Sequence, residues 1–364
     1  MIFLIIVAVV IAGLLLFMQQ DKFGELPLGT RQERIERSPN FKDKQFRNLS
    51  ITPDLAEGVS YYTVFKDFFF NKSKRSKPVQ PLPSKKADLL NLAPDEDVIV
   101  WFGHSSYFMQ VGGKTILVDP VFSGHASPVT FTTKAFAGTD VYTVDDLPEI
   151  DYLFLSHDHW DHLDCNTVLK LKPKVKKVIT GLGVGAHLIK WGYNPAIIEE
   201  KDWGESIALD EGFTAHITPA RHFSGRGLKR NTSLWVSLVL ITPNKRIYLG
   251  GDSGYDSHFK SIGEKHGPFD LAILECGQYN EYWKYIHMMP EEVVQAAQDL
   301  KAKKLMPVHW GKFALALHAW DEPIKRVTAA AEKEGMPLLT PMIGEKVNLN
   351  NPPLPFKKWW EGLE

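Results

Sequence analysis

Residues 157 to 162 read His157-Asp158-His159-Trp160-Asp161-His162, and this run limits the fold more than any other stretch of the chain. It follows directly on the apolar Tyr152-Leu153-Phe154-Leu155, which reads as a short strand. A strand that releases its chain into a loop aims side chains into a cleft. His157 and His159 are two apart, so in an extended stretch both point the same way and can share one ion. Asp161 and His162 are adjacent, point differently and can serve a second ion close by. Imidazole with carboxylate suits zinc, although iron and manganese accept the same donors. A structural zinc site would more often use Cys and close all four positions. The only cysteines are Cys165 and Cys276, far from chelating spacing, which also excludes a disulfide framework.

The remaining donors of a two-metal site must come from later in the chain. Three places end a strand with a ligand-type residue. Thr218-Pro219-Ala220-Arg221 leads to His222, Leu305-Met306-Pro307-Val308 leads to His309, and the turn Gly250-Gly251-Asp252-Ser253-Gly254 offers Asp252. Each alone would be an ordinary core or capping residue. Together they supply what the first run lacks.

Patterning divides the chain into four parts. Residues 1–18 hold the uncharged run Ile2 to Met18, which as a helix reaches about 25 Å, near the lower limit for crossing a bilayer. A cleaved secretory signal would want a basic residue before the run, and none is there. The expectation is therefore a transmembrane or membrane-anchor helix. Lys22, Arg31, Arg34 and Arg37 follow it, which places the catalytic body in the cytoplasm by the Lys/Arg bias rule. Residues 19–96 are polar and rich in Pro and Lys, and read as a linker and wrapping extension. Within them Tyr61 to Phe65 and Phe68-Phe69-Phe70 precede Lys72, Lys74, Arg75 and Lys77. These aromatics are expected to pack on the main domain, with docking at a lipid interface as the alternative. Residues 97–350 form the catalytic domain, where strands such as Val98–Phe102, Tyr107–Val111 and Leu234–Ile241 alternate with helical stretches such as 290–302 and 322–334. The order indicates an α/β domain. Residues 351–364 are a C-terminal tail. With 42 basic and 43 acidic residues the net charge is -1, which gives no electrostatic case for a nucleic-acid partner.

The motif H-x-H-x-D-H, followed by a His, an Asp in G-D-S-G and a late His, resembles the metallo-β-lactamase superfamily. Trp101-Phe102-Gly103-His104, Asp119-Pro120-Val121-Phe122-Ser123, Asp161-His162-Leu163-Asp164, Gly250-Gly251-Asp252-Ser253-Gly254-Tyr255, Gly267-Pro268-Phe269-Asp270-Leu271-Ala272 and His309-Trp310-Gly311-Lys312-Phe313-Ala314-Leu315 are similar to the N-acylphosphatidylethanolamine-hydrolysing phospholipase D family. The resemblance runs from about residue 97 to 345. It implies a metallo-β-lactamase-like αβ/βα sandwich with two zinc ions at one edge. One ion would be held by His157, His159 and His222, the second by Asp161, His162 and His309, with Asp252 bridging. His287 falls in a stretch that resembles the family's substrate-contacting region, where Ile286 replaces a usual polar residue.

The function so implied is phosphodiester hydrolysis by a metal-bridged hydroxide, with Asp252, Asp161 and His287 as the catalytic groups. The partner is a phospholipid at a membrane, giving phosphatidic acid and an N-acylethanolamine. Rival readings are another hydrolase on the same site, such as a lactonase or a generic phosphodiesterase, and a non-catalytic tethered binding protein. His104 and Asp119 are expected to brace the metal loop. Oligomeric state has no signature in the sequence.

Overall fold

The computed structural model of this chain describes residues 1–363. It begins with α1 (Ile2–Met18) and α2 (Thr30–Glu36), passes through a hairpin of β1 (Phe41–Lys42) and β2 (Gln45–Phe46), and reaches α3 (Tyr61–Phe70). A seven-stranded sheet follows from β3 (Val98–Trp101), β4 (Tyr107–Val111), β5 (Lys114–Val118), β6 (Ile150–Leu155), β7 (Val175–Gly181) and β8 (Ile198–Lys201). A six-stranded sheet is built from β9 (Ser206–Ala208), β10 (Thr214–Pro219), β11 (Val236–Ile241), β12 (Arg246–Leu249), β13 (Leu271–Glu275) and β14 (Leu305–Val308). The last strand, β15 (Lys346–Asn348), returns to the first sheet beside β3, so the orders are β15-β3-β4-β5-β6-β7-β8 and β14-β13-β12-β11-β10-β9.

Alternation along the strands decides which side faces which layer. Ile99, Trp101, Met109, Ile116 and Phe154 of the first sheet share a core with Ile217, Leu238, Leu240, Ile247 and Leu249 of the second. The intervening residues Val100, Phe108, Leu117, Leu153 and Leu155 face the other way and pack on α4 (Cys165–Leu171) and α5 (Gly185–Lys190). The second sheet is covered by α6 (His258–His266), α7 (Pro290–Asp299) and α8 (Glu322–Glu334). Burial on both faces is why the strands read as nearly continuous apolar runs. Local chemistry agrees with these bounds. α7 opens on Pro290, and Glu292 reaches back to the Met289 N–H at 2.8 Å. α8 ends on Gly335, in the left-handed region at φ +67°.

The α/β sandwich is therefore as expected, but the membrane anchor is not. Among the described residues, no helix is long and apolar enough to cross a membrane. α1 forms, yet it stops after 17 residues, where Gln19, Gln20 and Asp21 begin. That length falls short of the ~30 Å hydrocarbon core. Its last turn is committed to the domain: Phe17 packs edge-on against Phe23, and Phe23 against Trp160. The expected transmembrane segment, and the cytoplasmic placement argued from it, are corrected accordingly.

The extension is also more ordered than its composition suggested. α3 is a helix, capped by the Ser60 hydroxyl accepting from the Thr63 N–H at 3.1 Å. Tyr61, Val64 and Phe68, at helical spacing, line a cavity of the domain, yet all six aromatics of the helix remain exposed. The packing of these aromatics expected from the sequence is not seen as burial: Tyr61 and Phe68 border the cavity, and no residue of α3 is buried.

The C-terminal residues close the core. Trp310 sits among Trp101, Trp359 and Trp360 at centroid distances of 5.2, 5.2 and 5.7 Å. Trp360→Ala removes a fully buried indole, and a loss of about 3–5 kcal/mol is expected from denaturant unfolding.

Candidate metal centre

The ends of β5, β6, β12 and β14 and the turn after β10 bring their ligand-type residues to one edge of the sandwich. Asp119, just past β5, organises the loop after β6. Its carboxylate accepts from the Ser156 N–H at 2.8 Å and faces His162 Nδ1 at 2.8 Å. Asp119, His104 and His309 all adopt positive φ, at 40°, 54° and 68°. Such strain persists only where the surroundings fix it. Here the His309 N–H donates to the His104 carbonyl, and the His104 N–H to the Trp310 carbonyl, both at 2.9 Å. Asp252 depends on Gly251 (φ +61°), where a Cβ would lie 2.9 Å from the Ser156 side chain.

Two groups of donors result. In the first, His159 Nδ1 lies 2.8 Å from His157 Nε2 and 3.2 Å from His222 Nε2. The outer nitrogen of His222, Nδ1, donates to the Ile286 carbonyl at 2.8 Å, which fixes the ring. In the second, His104, Asp161, His162 and His309 converge. His104 Nε2 is 2.8 Å from Asp161, His162 Nε2 is 3.5 Å from it, and His309 Nδ1 is 2.8 Å from the Ser105 hydroxyl. Asp252 stands between the groups, 3.1 Å from His162 and His309, 3.7 Å from His222 and 3.9 Å from His157. All seven residues read as ligands from the sequence are brought together, and His104 and Asp119 stand behind them.

The electrostatics suit a cation. Burial holds His157, His222 and His309 well below the usual imidazole range, and His159 at about 4. These rings are neutral, with lone pairs to give. Burial works against the Asp252 carboxylate, but His162 and His309 hold its pKa well below the ordinary value. His162 Nε2 and Asp252 Oδ1 are buried without a hydrogen-bond partner. A tetrahedral ion with ligands near 2.1 Å separates its donor atoms by roughly 3.4 Å, close to the spacing of the first group. The donor set fits a pair of divalent ions and could bind them.

Several residues that the sequence reading passed over support this edge. The Asp158 carboxylate accepts from the Gly225 N–H, the Ser233 hydroxyl and His187 Nε2 at 2.6, 2.8 and 3.2 Å. Arg226 lies buried over the Trp160 ring at 4.0 Å and donates to the Asp158 and Leu163 carbonyls at 2.9 and 2.6 Å. It also donates to the Lys22 carbonyl at 2.8 Å, so the extension is tied to the metal loop. His287 is held at the site by its Nδ1, which lies 2.9 Å from the buried Glu275 carboxylate. In the sequence, Arg226 looks like any loop arginine. Glu275 did leave a signal, a lone charge in the apolar stretch Leu271-Ala272-Ile273-Leu274-Glu275-Cys276.

A cavity of about 570 Å³ opens on both donor groups. His159, Asp161, His222, Asp252, His287 and His309 form its floor, and Leu55, Tyr61, Val64, Phe68, Trp283 and Ile286 are among its walls. Arg226→Met would leave two buried carbonyls without donors. It is expected to weaken zinc binding about 10–100-fold in a chelator competition titration, with Asp161 and the His ligands unchanged.

Comparison with known proteins adds four findings. The model of the β-lactamase superfamily domain matches residues 114–310. An uncharacterised protein of Mycobacterium tuberculosis is 39% identical over 329 residues, 89% of this chain and 88% of that protein. An N-acyl-phosphatidylethanolamine-hydrolyzing phospholipase D of Caenorhabditis elegans is 36% identical over 232 residues, 59% of this chain and 64% of that enzyme. Among solved structures, a metallo hydrolase from the archaeon Ignicoccus hospitalis superposes with a TM-score of 0.53 at 20% identity, covering 69% of this chain and 97% of the other.

Proposed function

The chain belongs to the β-lactamase superfamily and is a metal-dependent hydrolase of that fold, and from this premise we propose that it cleaves the phosphodiester bond of N-acylphosphatidylethanolamine-type phospholipids. The products would be phosphatidic acid and an N-acylethanolamine. The observation that carries this reading is the cavity, whose floor is the metal-binding cluster and whose walls are largely apolar. A charged headgroup on the floor and acyl chains along the walls match that division. The likeness to the C. elegans phospholipase supports the same substrate class.

In this reading His157, His159 and His222 would hold one zinc and Asp161, His162 and His309 the other, with the Asp252 carboxylate available between the two groups. Bound there, two zinc ions supply a water acidified toward neutrality and positive charge for the phosphoryl oxygens. The protein's own groups do the rest. Asp252 and Asp161 orient the attacking oxygen, and His287 Nε2 meets the leaving oxygen.

The test is turnover of N-acylphosphatidylethanolamine and of bis-p-nitrophenyl phosphate by the zinc-loaded protein, with metal content measured on the same sample. Two zinc per chain with release of phosphatidic acid is expected. Turnover of the artificial diester alone would remove the lipid substrate. Asp252→Asn is expected to lower kcat by more than about 100-fold, beyond what outer partners of a metal site usually cost. Phe68→Ala is expected to raise KM for long-chain lipid roughly tenfold while leaving the artificial diester unaffected.

A further inference from the structure

Glu275 is the last residue of β13 and is completely buried. A carboxylate in such a place is tolerated only when its oxygens are occupied. Among the described residues, His287 is its only ion-pair partner, and no lysine or arginine reaches it. Its Oε1 accepts from the Met288 N–H at 2.9 Å, and its Oε2 from His287 Nδ1 at 2.9 Å. The preceding carbonyl, that of Ile286, accepts from His222 Nδ1 at 2.8 Å. Side chains thus pin residues 286 to 288 at three points, two of them by Glu275.

The pinning has a chemical consequence. The two nitrogens of an imidazole lie on different edges of the ring, and the partner of one decides what the other carries. With Nδ1 tied back to Glu275, Nε2 is the nitrogen left for the cavity that His287 lines. The ring stacks on His309 at 5.3 Å and meets His222 edge-on at 5.0 Å, so it stands directly over the metal-binding cluster.

We propose that Glu275 is a positioning residue for the hydrolysis: it holds the His287 proton on Nδ1 and turns Nε2 toward the leaving oxygen. The proposal rests on the phosphodiester reading for the identity of that oxygen, and on the structure alone for the geometry. In the step, an oxygen from water forms a bond to phosphorus and the bond from phosphorus to the leaving oxygen breaks. The leaving oxygen takes the proton from Nε2 of the His287 imidazolium. The ring is left neutral, its remaining proton on Nδ1 facing Glu275, and regains the Nε2 proton from water before the next turnover.

Two measurements test it. In nitrogen-15 spectra of histidine-labelled, zinc-loaded protein, the His287 signals are assigned by their loss in His287→Asn. The neutral ring is expected to carry its proton on Nδ1, and a proton on Nε2 would overturn the proposal. Glu275→Gln is expected to move that proton to Nε2 and to lower kcat about 10–100-fold, with KM within about threefold and metal content unchanged. An unchanged kcat and tautomer, or a loss explained by missing zinc, would also overturn it. Should Glu275→Gln not fold, Glu275→Asp withdraws the acceptor from Nδ1 by one methylene and is likewise expected to release the proton to Nε2; a proton that stays on Nδ1 there would overturn the proposal. The spectra need no substrate. A wrong phosphodiester assignment would therefore appear as absent turnover by the unmodified protein, with the tautomer intact.

Discussion

Lone pairs that converge in a buried space repel one another unless a positive charge lies among them. That constraint governs this edge of the sandwich. Within the first donor group three imidazole nitrogens lie 2.8 and 3.2 Å apart, in rings that burial keeps neutral. Asp252 adds a carboxylate within 4 Å of both groups. Nothing in an apolar core would hold such a cluster together unaided. The surrounding structure does so by bonding four of the rings: Ser156 and Asp119 hold His157 and His162, Ser105 holds His309, and the Ile286 carbonyl holds His222.

This arrangement explains why the fold carries polar groups so deep. Asp158 and Arg226 are nearly or fully buried, yet neither touches a substrate-facing surface. They hold the backbone of the loop that carries four donors in six residues. The extension takes part in the same task through the Lys22 carbonyl, and it supplies one wall of the cavity through α3. The segment that composition marked as a linker is thus part of the site's construction.

The sandwich and the cluster were legible because their signals are local. His157 to His162 are contiguous, and His222, Asp252 and His309 each follow an apolar strand. Strands buried on both faces announce themselves by composition alone. What was not legible depends on partners far along the chain. Nothing near Arg226 points to Lys22, 204 residues away, and nothing in Tyr61, Val64 or Phe68 says which face meets the cavity. Glu275 was readable as a charge out of place, but its partner His287 lies in a loop whose path the sequence does not fix. The anchor failed for a different reason. Ile2 to Met18 sits at the lower limit of length for a bilayer, and nothing in its hydropathy shows that its last turn packs through Phe17 on Phe23.

His104 follows a strand of the first sheet and His309 follows a strand of the second, and their backbones bond to each other at the site. The first donor group likewise draws His157 and His159 from one sheet and His222 from the other. Neither half of the sandwich owns a complete set of donors. The cluster is therefore a seam, and an ion seated in it would act as a rivet between the halves.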